Sequence, residues 1–372
     1  MNVPQFAPWL TEEEYQAIHS CFERNWITEG PKAQEFTEAL LELTRAKFGV
    51  FAPNGTLGLY LALRAIGIGP GDEVIVPDFT FIGSATAIEM TGATPIFVDV
   101  NTSNFQIDIS CCEARVTANT KAIMPVHIYG TSVKMDEVIE FAQTYKLLVI
   151  EDAAQAIGVH FQGKHTGTFG DVGVFSFFAD KTITTGEGGF IVTNDDVIYN
   201  NLRYLRNQGR LHRGTFIHHE IGYNFRMIDI QAAIGLVQLK KLDQIVVKKL
   251  RIAQQYQERL QDVPEVTFFQ PQEGADWIPF RVGILHPKAH ELMKFMAERD
   301  IEARTFFYPL HRQPCFAYLK RVYPFNYPLD DSMFPHATYG YEHGLCLPSF
   351  PTLREEQIDY VCRVIKEFAS HE

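Results

Sequence analysis

The alternation of short β-rich runs with helical stretches between Phe48 and Asn194 constrains most strongly what this chain can fold into. Runs such as GVFAP, EVIVP, LLVIEDAA and VGVFSFF recur along this stretch. Strands that alternate with helices at this spacing predict βαβ units around a largely parallel sheet. Because ligands of such sheets bind where the strands end, we expect an α/β fold whose functional residues directly follow the β-rich runs.

The C-terminal part of the chain has a different pattern. After Met227 a helical pattern continues to about Pro264, and two β-like runs and two further helices follow. This order predicts a smaller α+β domain, and 372 residues are enough for two domains. We place the boundary within the long helical pattern near Asp243, so that residues 1–243 form the large domain and residues 244–372 the small one.

The charge balance narrows the class of ligand. Lys and Arg number 33 and Asp and Glu 45, so the formal net charge is −12, and the field of such a chain repels nucleic acid and anionic membranes. No run of about 18 apolar residues predicts a membrane span, and the first residues lack the pattern of a signal peptide. The six cysteines show no CxxC spacing, so we expect a cytoplasmic protein with reduced thiols and no metal site. Because the net charge is negative, an anionic ligand needs a local basic patch.

Asn54, Gly55 and Thr56 follow the first β-rich run and precede a helix. A glycine lets the backbone approach a ligand, and the amides of a helix N-terminus together with a hydroxyl can hold a phosphate. The same three residues also form a good turn and helix cap, so this segment alone leaves both interpretations open.

Two carboxylates, Glu151 and Asp152, end the apolar run LLVI. Since successive side chains of a strand point to opposite faces, the two do not form an acid–base pair, and we expect one of them to point into the site. An unpaired buried carboxylate is costly, so at least one of them should have a partner. Gln155 follows about one helical turn later.

Lys181 follows the buried run VGVFSFF and precedes a loop rich in Thr and Gly. A desolvated amine there would suit Schiff-base chemistry, although a surface lysine in a loop fits the position equally well. The run EVIVP is followed by Asp78 to Phe81, which brings aromatic rings to the same edge. A phosphate cradle, a carboxylate, an aromatic wall and a lysine are together the components of a pyridoxal phosphate site.

The sequence resembles the nucleotide-sugar aminotransferases of the DegT/DnrJ/EryC1/StrS family over nearly its whole length. The stretches that carry the resemblance include GDEVIVPDFTFIGSATAI, LLVIEDAAQAIG, GTFGDVGVFSFFADKTITTGEGGFIVTND and IGYNFRMIDIQAAIGLVQL. The resemblance implies fold type I of the pyridoxal phosphate enzymes, similar to aspartate aminotransferase, and a homodimer with its active site at the subunit interface. It also implies transfer of the amino group of L-glutamate to the keto group of a nucleotide sugar.

The resemblance further implies roles for single residues. The family's cofactor-bonding lysine falls on Lys181, and the carboxylate that pairs with the pyridine nitrogen falls on Asp152. Gln155 and Phe81 would contact the cofactor ring. The residues that would hold the phosphate are Gly55, Thr56, Ser176 and, from the neighbouring subunit, Asn224.

Within the family, Lys181 favours aminotransfer over dehydration, because the 3-dehydratase branch has histidine at this position. The stretches FSFF, KTITTGEGG and GYNFRM are most similar to the branch that aminates GDP-4-keto-6-deoxymannose at C4. The same chemistry on a dTDP- or UDP-linked keto sugar, or at C3, stays open, and so does a non-catalytic regulator that keeps the fold.

The residues that bind the substrate are harder to identify. Between Arg203 and His219 the chain carries four arginines, three histidines and no acid. This composition describes either a mobile basic loop or a binding site for the diphosphate of a nucleotide sugar, with Arg210 and Arg213 as the candidate ligands. His311, in the stretch FFYPLHRQP, lies where relatives place residues near the sugar and is a further candidate.

Overall fold

A computed structural model describes residues 1–210, 214, 216–323 and 329–370 of the chain. The described residues form thirteen β-strands and twelve α-helices. The strands are Phe48–Ala52 (β1), Glu73–Pro77 (β2), Thr94–Val98 (β3), Thr120–Ile123 (β4), Leu148–Asp152 (β5), His160–Phe161 (β6), Lys164–His165 (β7), Val172–Ser176 (β8), Gly189–Thr193 (β9), Thr267–Phe268 (β10), Val282–Leu285 (β11), Arg304–Thr305 (β12) and Gly344–Leu347 (β13). The helices are Glu12–Glu23 (α1), Pro31–Thr44 (α2), Gly55–Ala65 (α3), Gly83–Met90 (α4), Met135–Tyr145 (α5), Asp196–Arg206 (α6), Asp229–Lys240 (α7), Leu242–Leu260 (α8), Ala289–Ala297 (α9), Leu319–Val322 (α10), Pro335–His343 (α11) and Glu355–Ser370 (α12).

A seven-stranded sheet with the strand order β1-β9-β8-β5-β4-β2-β3 forms the centre of the molecule. Neighbouring strands are parallel, except that β9 is antiparallel to both β1 and β8. The prediction of an α/β fold with a mostly parallel sheet is therefore confirmed. All strands of this sheet apart from β9 end at the same edge, which is where a ligand is expected.

Both faces of the large sheet are buried. Val174 and Ile191 belong to a core shared with α3 and α4, whereas the adjacent Phe175 and Phe190 belong to a core shared with α2 and α7. Alternate residues of one strand thus serve opposite faces. This burial on two sides explains why the strands are continuous apolar runs in the sequence.

A second, antiparallel sheet of order β10-β11-β13-β12 packs with α8, α9 and α12. Its core also includes Val3, while Phe306 and Leu310 pack into the core of the large sheet, so the chain crosses between the two cores more than once. The long helical pattern is divided into α7 and α8, which are separated at Lys241. The domain boundary near Asp243 remains a prediction. No helix of residues 1–210, 216–323 and 329–370 is long and apolar enough to cross a membrane.

Candidate active site

The N-terminus of α3 lies against the end of β8 at the ligand-binding edge of the sheet. A Cβ added to Gly55 would lie 2.9 Å from the Cβ of Ser176, so only glycine allows this close approach. Asn54 caps the helix, because its side-chain oxygen accepts a hydrogen bond of 2.9 Å from the amide of Leu57. The first amides of an α-helix have no partner within the helix. The amides of Gly55 and Thr56 therefore lie beside the Ser176 hydroxyl, available to an anion.

Asp152 ends β5 as a buried carboxylate that is only 5% exposed. Its Oδ2 accepts a hydrogen bond of 2.7 Å from Ser84 Oγ, and its Oδ1 accepts one of 3.1 Å from the amide of Ala154. Burial raises the pKa of Asp152, while these hydrogen bonds and the nearby charge of Lys181 act in the opposite direction. Two hydrogen bonds and a neighbouring cation thus stabilise a negative charge at this edge.

Glu151, the preceding residue, has an entirely different environment. It is fully buried and accepts hydrogen bonds of 2.6, 2.6 and 2.7 Å from the amides of Gly167, Phe169 and Gly170. A fourth hydrogen bond, of 2.9 Å, joins it to Nε2 of His127. The two adjacent carboxylates therefore serve different faces of the sheet, as the alternation of side chains along a strand requires. Glu151 holds a loop in place and has no room for a ligand.

Lys181 follows β8 in a loop and is half-buried. Its Nζ lies 4.5 Å from the ring centroid of Phe280. Burial lowers the pKa of Lys181, Arg281 lowers it further, and the carboxylates of Asp180 and Asp152 raise it. The amine is thus desolvated and lies in the electrostatic field of Asp152, the arrangement that lysine chemistry near neutral pH requires.

The aromatic ring of Phe81 lies near this cluster and is exposed to solvent. Phe81 is 58% exposed although it is a large apolar side chain. A Cβ added to Gly83 would lie 3.0 Å from Cδ1 of Phe81 and 2.8 Å from Oγ1 of Thr56, so these side chains crowd around one helix start. Gln155 is buried, and its Oε1 accepts a hydrogen bond of 2.8 Å from the amide of Tyr129.

Arg210 and Asn224 lie in a different region of the structure. Asn224 is exposed, and its backbone pairs with Asn207, so the contacts of the described residues do not join it to the cluster. Arg210 donates to the backbone carbonyl of Asn207 and lines a pocket of about 770 Å³ together with Arg203 and Arg226. Arg213 lies outside the described residues.

His311 is buried at the end of β2 and stacks on Phe334 with 4.6 Å between the ring centroids. Its Nδ1 is 2.7 Å from Oδ2 of Asp78, and its Nε2 is 2.9 Å from Oδ1 of Asp331. Burial disfavours the charged ring, but the two carboxylates outweigh it and raise the pKa of His311. A substrate can bind this ring only by displacing one of its carboxylate partners.

Two residues of the cluster, Ser84 and Arg281, have no counterpart among the motifs of the sequence. Arg281 is the only charge in the run WIPFRVGIL, and a lone charge in an apolar run indicates a buried partner. That partner is Asp180, with which Arg281 forms an ion pair. Ser84 is one of several small residues in FIGSATAI, and its hydrogen bond to Asp152 depends on tertiary structure alone.

The strand-end cluster fits pyridoxal phosphate. The space between α3 and Ser176 is open because residue 55 is a glycine, and a Cβ at this position would fill it. A buried carboxylate, a desolvated amine and an exposed aromatic ring surround the same edge, and these match the ring nitrogen, the aldehyde and the ring face of the cofactor.

Comparisons with known proteins extend this agreement to the whole chain. The profile of the DegT/DnrJ/EryC1/StrS aminotransferase family matches residues 8–366. GDP-perosamine synthase of Escherichia coli O157:H7 is 39% identical over 374 residues, which cover 99% of this chain and 99% of that protein. The structure of Helicobacter pylori PseC, an aminotransferase involved in the biosynthesis of pseudoaminic acid, has a TM-score of 0.92 and 26% identity and covers all of both chains. The PLP form of the putative sugar aminotransferase Spr1654 from Streptococcus pneumoniae has a TM-score of 0.92 and 25% identity, covering 100% of this chain and 99% of that one.

The fold, the strand-end cluster and the similarity along the full length agree with one another. The protein is therefore a pyridoxal-phosphate-dependent sugar aminotransferase and belongs to the DegT/DnrJ/EryC1/StrS aminotransferase family.

Proposed function

We propose that the protein transfers the amino group of L-glutamate to C4 of GDP-4-keto-6-deoxymannose, which yields GDP-perosamine. The amine of Lys181, desolvated in the field of the Asp152 carboxylate, is the observation that carries the reaction type. Similarity to a GDP-perosamine synthase over 99% of both chains supports the substrate.

The strand-end residues would hold the cofactor at its phosphate and around its ring. The amides of Gly55 and Thr56 and the hydroxyl of Ser176 would bind its phosphate, because a helix N-terminus attracts anions. Asp152 would keep the pyridine nitrogen protonated, Phe81 would stack on the ring and the amide of Gln155 would contact its edge. When bound, pyridoxal phosphate supplies an electron-withdrawing ring and carries the amino group from one substrate to the other.

Lys181 would act as the general base and then as the general acid. Burial lowers the pKa of Lys181 and so favours the neutral amine, whose Nζ would take a proton from the α-carbon of glutamate. In the second half of the reaction the protonated Nζ would donate a proton to C4 of the sugar. Asp152 would not take part in this proton transfer, since both of its carboxylate oxygens already accept hydrogen bonds, from Ser84 and from the amide of Ala154.

Replacing Lys181 tests the assignment of the catalytic amine. The Lys181→Ala variant should lose turnover with glutamate and the keto sugar, while its circular dichroism and unfolding midpoint stay near those of the native protein. Lys294→Ala is the matched control, because Lys294 is an exposed lysine of α9. A Lys181→Ala protein that still turns over would refute the assignment, and a native protein that binds the cofactor but forms no product would indicate the non-catalytic regulator.

The sugar and its nucleotide require a product analysis. The protein is incubated with glutamate and, in parallel, with GDP-, dTDP- and UDP-linked 4-keto-6-deoxy sugars, and the products are separated and their amination site is read by NMR. Amination at C4 of the GDP sugar with the highest kcat/KM supports the proposal. A preference for a dTDP or UDP sugar, or an amine at C3, overturns the proposed substrate but leaves the aminotransferase activity intact.

The arginine-rich pocket is the proposed binding site for the diphosphate. Arg203, Arg210 and Arg226 line it, and Arg206 forms an ion pair of 2.6 Å with Glu29 at its side. This pocket supplies the local positive charge that an acidic chain needs for a dianionic ligand. Arg210→Gln should raise KM for the nucleotide sugar several-fold more than KM for glutamate, and equal effects on the two constants would contradict this placement.

We further propose that the protein is a homodimer and that Asn224 contributes to the phosphate site of the partner subunit. The segment around it presents apolar side chains to solvent: Phe216 is 84%, Ile217 69% and Ile221 84% exposed. Three large apolar residues so exposed on one short segment favour a protein contact. Light scattering on the eluted protein should give twice the mass of one chain, and Ile221→Asp should shift the protein toward the monomer and reduce its cofactor affinity.

A further inference from the structure

An ion pair lies directly beside the proposed catalytic amine. Asp180 precedes Lys181 in the chain, and its Oδ2 is bonded to Nη2 of Arg281. Arg281 is only 5% exposed and comes immediately before β11, 101 positions further along the chain. The segment that leads into β11 thus places a guanidinium beside the loop that follows β8.

The ion pair between Asp180 and Arg281 is largely shielded from solvent. The side chains of Asp180 and Arg281 are 10% and 6% exposed, so solvent screens their attraction weakly. Within the described residues, Oδ1 of Asp180 and Nη1 of Arg281 have no hydrogen-bond partner, so each group depends on the one bond between them. Without the guanidinium, the Asp180 carboxylate would lack this partner and would act on the amine of Lys181, which follows it in the chain and whose pKa it raises.

Charges from several elements face Lys181. They are Asp152 at the end of β5, Asp180 on its own loop and Arg281 before β11. Lys249 of α8 lines the same small cavity as Lys181 and donates a hydrogen bond of 2.9 Å to the carbonyl of Pro279. Burial lowers the pKa of Lys249 to about 7, so its charge varies near neutral pH. A guanidinium stays protonated in proteins, which makes Arg281 the constant cation of the group.

We propose that Arg281 is a positioning residue for the aminotransferase reaction: by pairing with the carboxylate of Asp180, it prevents that carboxylate from binding the amine of Lys181 and so leaves this amine free to react. The inference rests on the role of Lys181 in the proposed function. It also explains why a chain can place an aspartate next to its catalytic lysine. The neighbouring carboxylate would otherwise hold the amine as an ammonium, which is neither a nucleophile nor a base.

The experiment measures the protonation of Lys181 directly. The full-length protein, freed of bound pyridoxal phosphate by dialysis against hydroxylamine, is acetylated with acetic anhydride at a series of pH values, and the extent of acetylation at Lys181 is read from its peptide by mass spectrometry. Arg281→Met should raise the pH midpoint of Lys181 by about one, and Asp180→Asn should lower it by about one, as expected for a charge within a few ångströms. The double variant Asp180→Asn with Arg281→Met should return the midpoint to near the native value.

The opposite directions separate this proposal from a merely structural role, because a loss of packing would move both single variants the same way. Arg281→Lys keeps the positive charge and should stay near the native midpoint. Arg299→Met removes an arginine whose ion pair with Glu367 of α12, at 3.0 Å, includes none of the charges that face Lys181, and it should change nothing at Lys181. If Arg281→Met does not fold, Asp180→Asn and the double variant still decide the matter.

Single variants whose midpoints shift in the same direction, or do not shift, overturn the proposal. The rate of pyridoxal phosphate uptake, followed by absorbance across the same pH range, should move with the acetylation midpoint. A protein whose Lys181 midpoint shifts as expected but whose Lys181→Ala variant remains active would retain the electrostatic inference and refute the catalytic assignment. The two failures are therefore distinguishable.

Discussion

Ser84 controls the charge of the carboxylate on which the cofactor site depends. Ser84 is 1% exposed, and its Oγ has three oxygen neighbours: Asp152 Oδ2 at 2.7 Å, Thr80 Oγ1 at 3.2 Å and the carbonyl of Phe81 at 3.3 Å. The carboxylate is the closest and the only charged acceptor, so the proton is donated there. Ser84→Ala removes this bond and leaves the fold of α4 intact, because alanine is a good helix former.

The size of the effect follows from the type of bond. A hydrogen bond to a charged group contributes about 1.5–3 kcal/mol, and a pKa change of one corresponds to about 1.4 kcal/mol. Loss of the bond should therefore raise the pKa of Asp152 by about one to two beyond the increase that burial already causes. At neutral pH a larger fraction of Asp152 is then protonated and cannot hold a proton on the pyridine nitrogen. We expect kcat/KM for glutamate to fall by roughly 10- to 150-fold.

The pH dependence gives the decisive measurement. Since a raised pKa reduces the ionised form of Asp152 most at low pH, the defect of the variant should grow as the pH falls and shrink as the pH rises. Ser132→Ala is the matched control: Ser132 is also buried, but its hydroxyl donates to the carbonyl of Val133 at 2.7 Å. A Ser84→Ala enzyme within twofold of the native rate, or one whose defect does not vary with pH, would falsify this reasoning.

Three further changes test other parts of the structure. Gly130 has φ +80° and an added Cβ would lie 1.7 Å from a backbone carbonyl oxygen, so Gly130→Ala should lower the free energy of unfolding by about 3 kcal/mol in urea titrations. In Glu151→Gln an amide NH2 group replaces one carboxylate oxygen and faces two hydrogen-bond donors. The loss of two charge-assisted hydrogen bonds should lower the free energy of unfolding by about 3–6 kcal/mol. Because Asp78 and Asp331 raise the pKa of His311, its contribution to stability is complete below about pH 6.5 and is lost as the pH rises through the folded-state value. The urea midpoint should accordingly fall on the alkaline side of pH 6.5, and His311→Gln should flatten that decline.

The position of the site could be predicted because parallel strands all end at one edge. The residues after β1, β2, β5 and β8 need no knowledge of strand order to be expected together, since any order brings these ends to the same side. The assignment of Asp152 rather than Glu151 to that side depends on strand register, which the alternation of side chains leaves undetermined from sequence. The alternation of strands and helices does not predict the reversed direction of β9. The absence of a helix between Ser176 and Gly189 does indicate an antiparallel connection there.

The partners of the site residues could not be predicted, because they come from distant segments. Ser84 lies 68 positions from Asp152, and Arg281 lies 101 positions from Asp180. Neither pair follows a local periodicity, and only the packing of α4 and of the second sheet against the first brings them together. The break at Lys241 could not be located either, because the sequence has helical spacing on both sides of it.

The net charge of −12 does not set the electrostatic field at the cofactor site, because the nearby carboxylates are paired locally. The carboxylates near the cofactor site each have a local donor or cation: Ser84 for Asp152, Arg281 for Asp180, and four hydrogen-bond donors for Glu151. A carboxylate that is paired at a few ångströms projects little field across a site that must accept a phosphate and a sugar diphosphate. The net negative charge therefore repels polyanions from the protein as a whole. The pairing of the buried carboxylates still allows small anionic ligands to bind at the site. Removal of one such partner should affect ligand binding more than the loss of any exposed acid does.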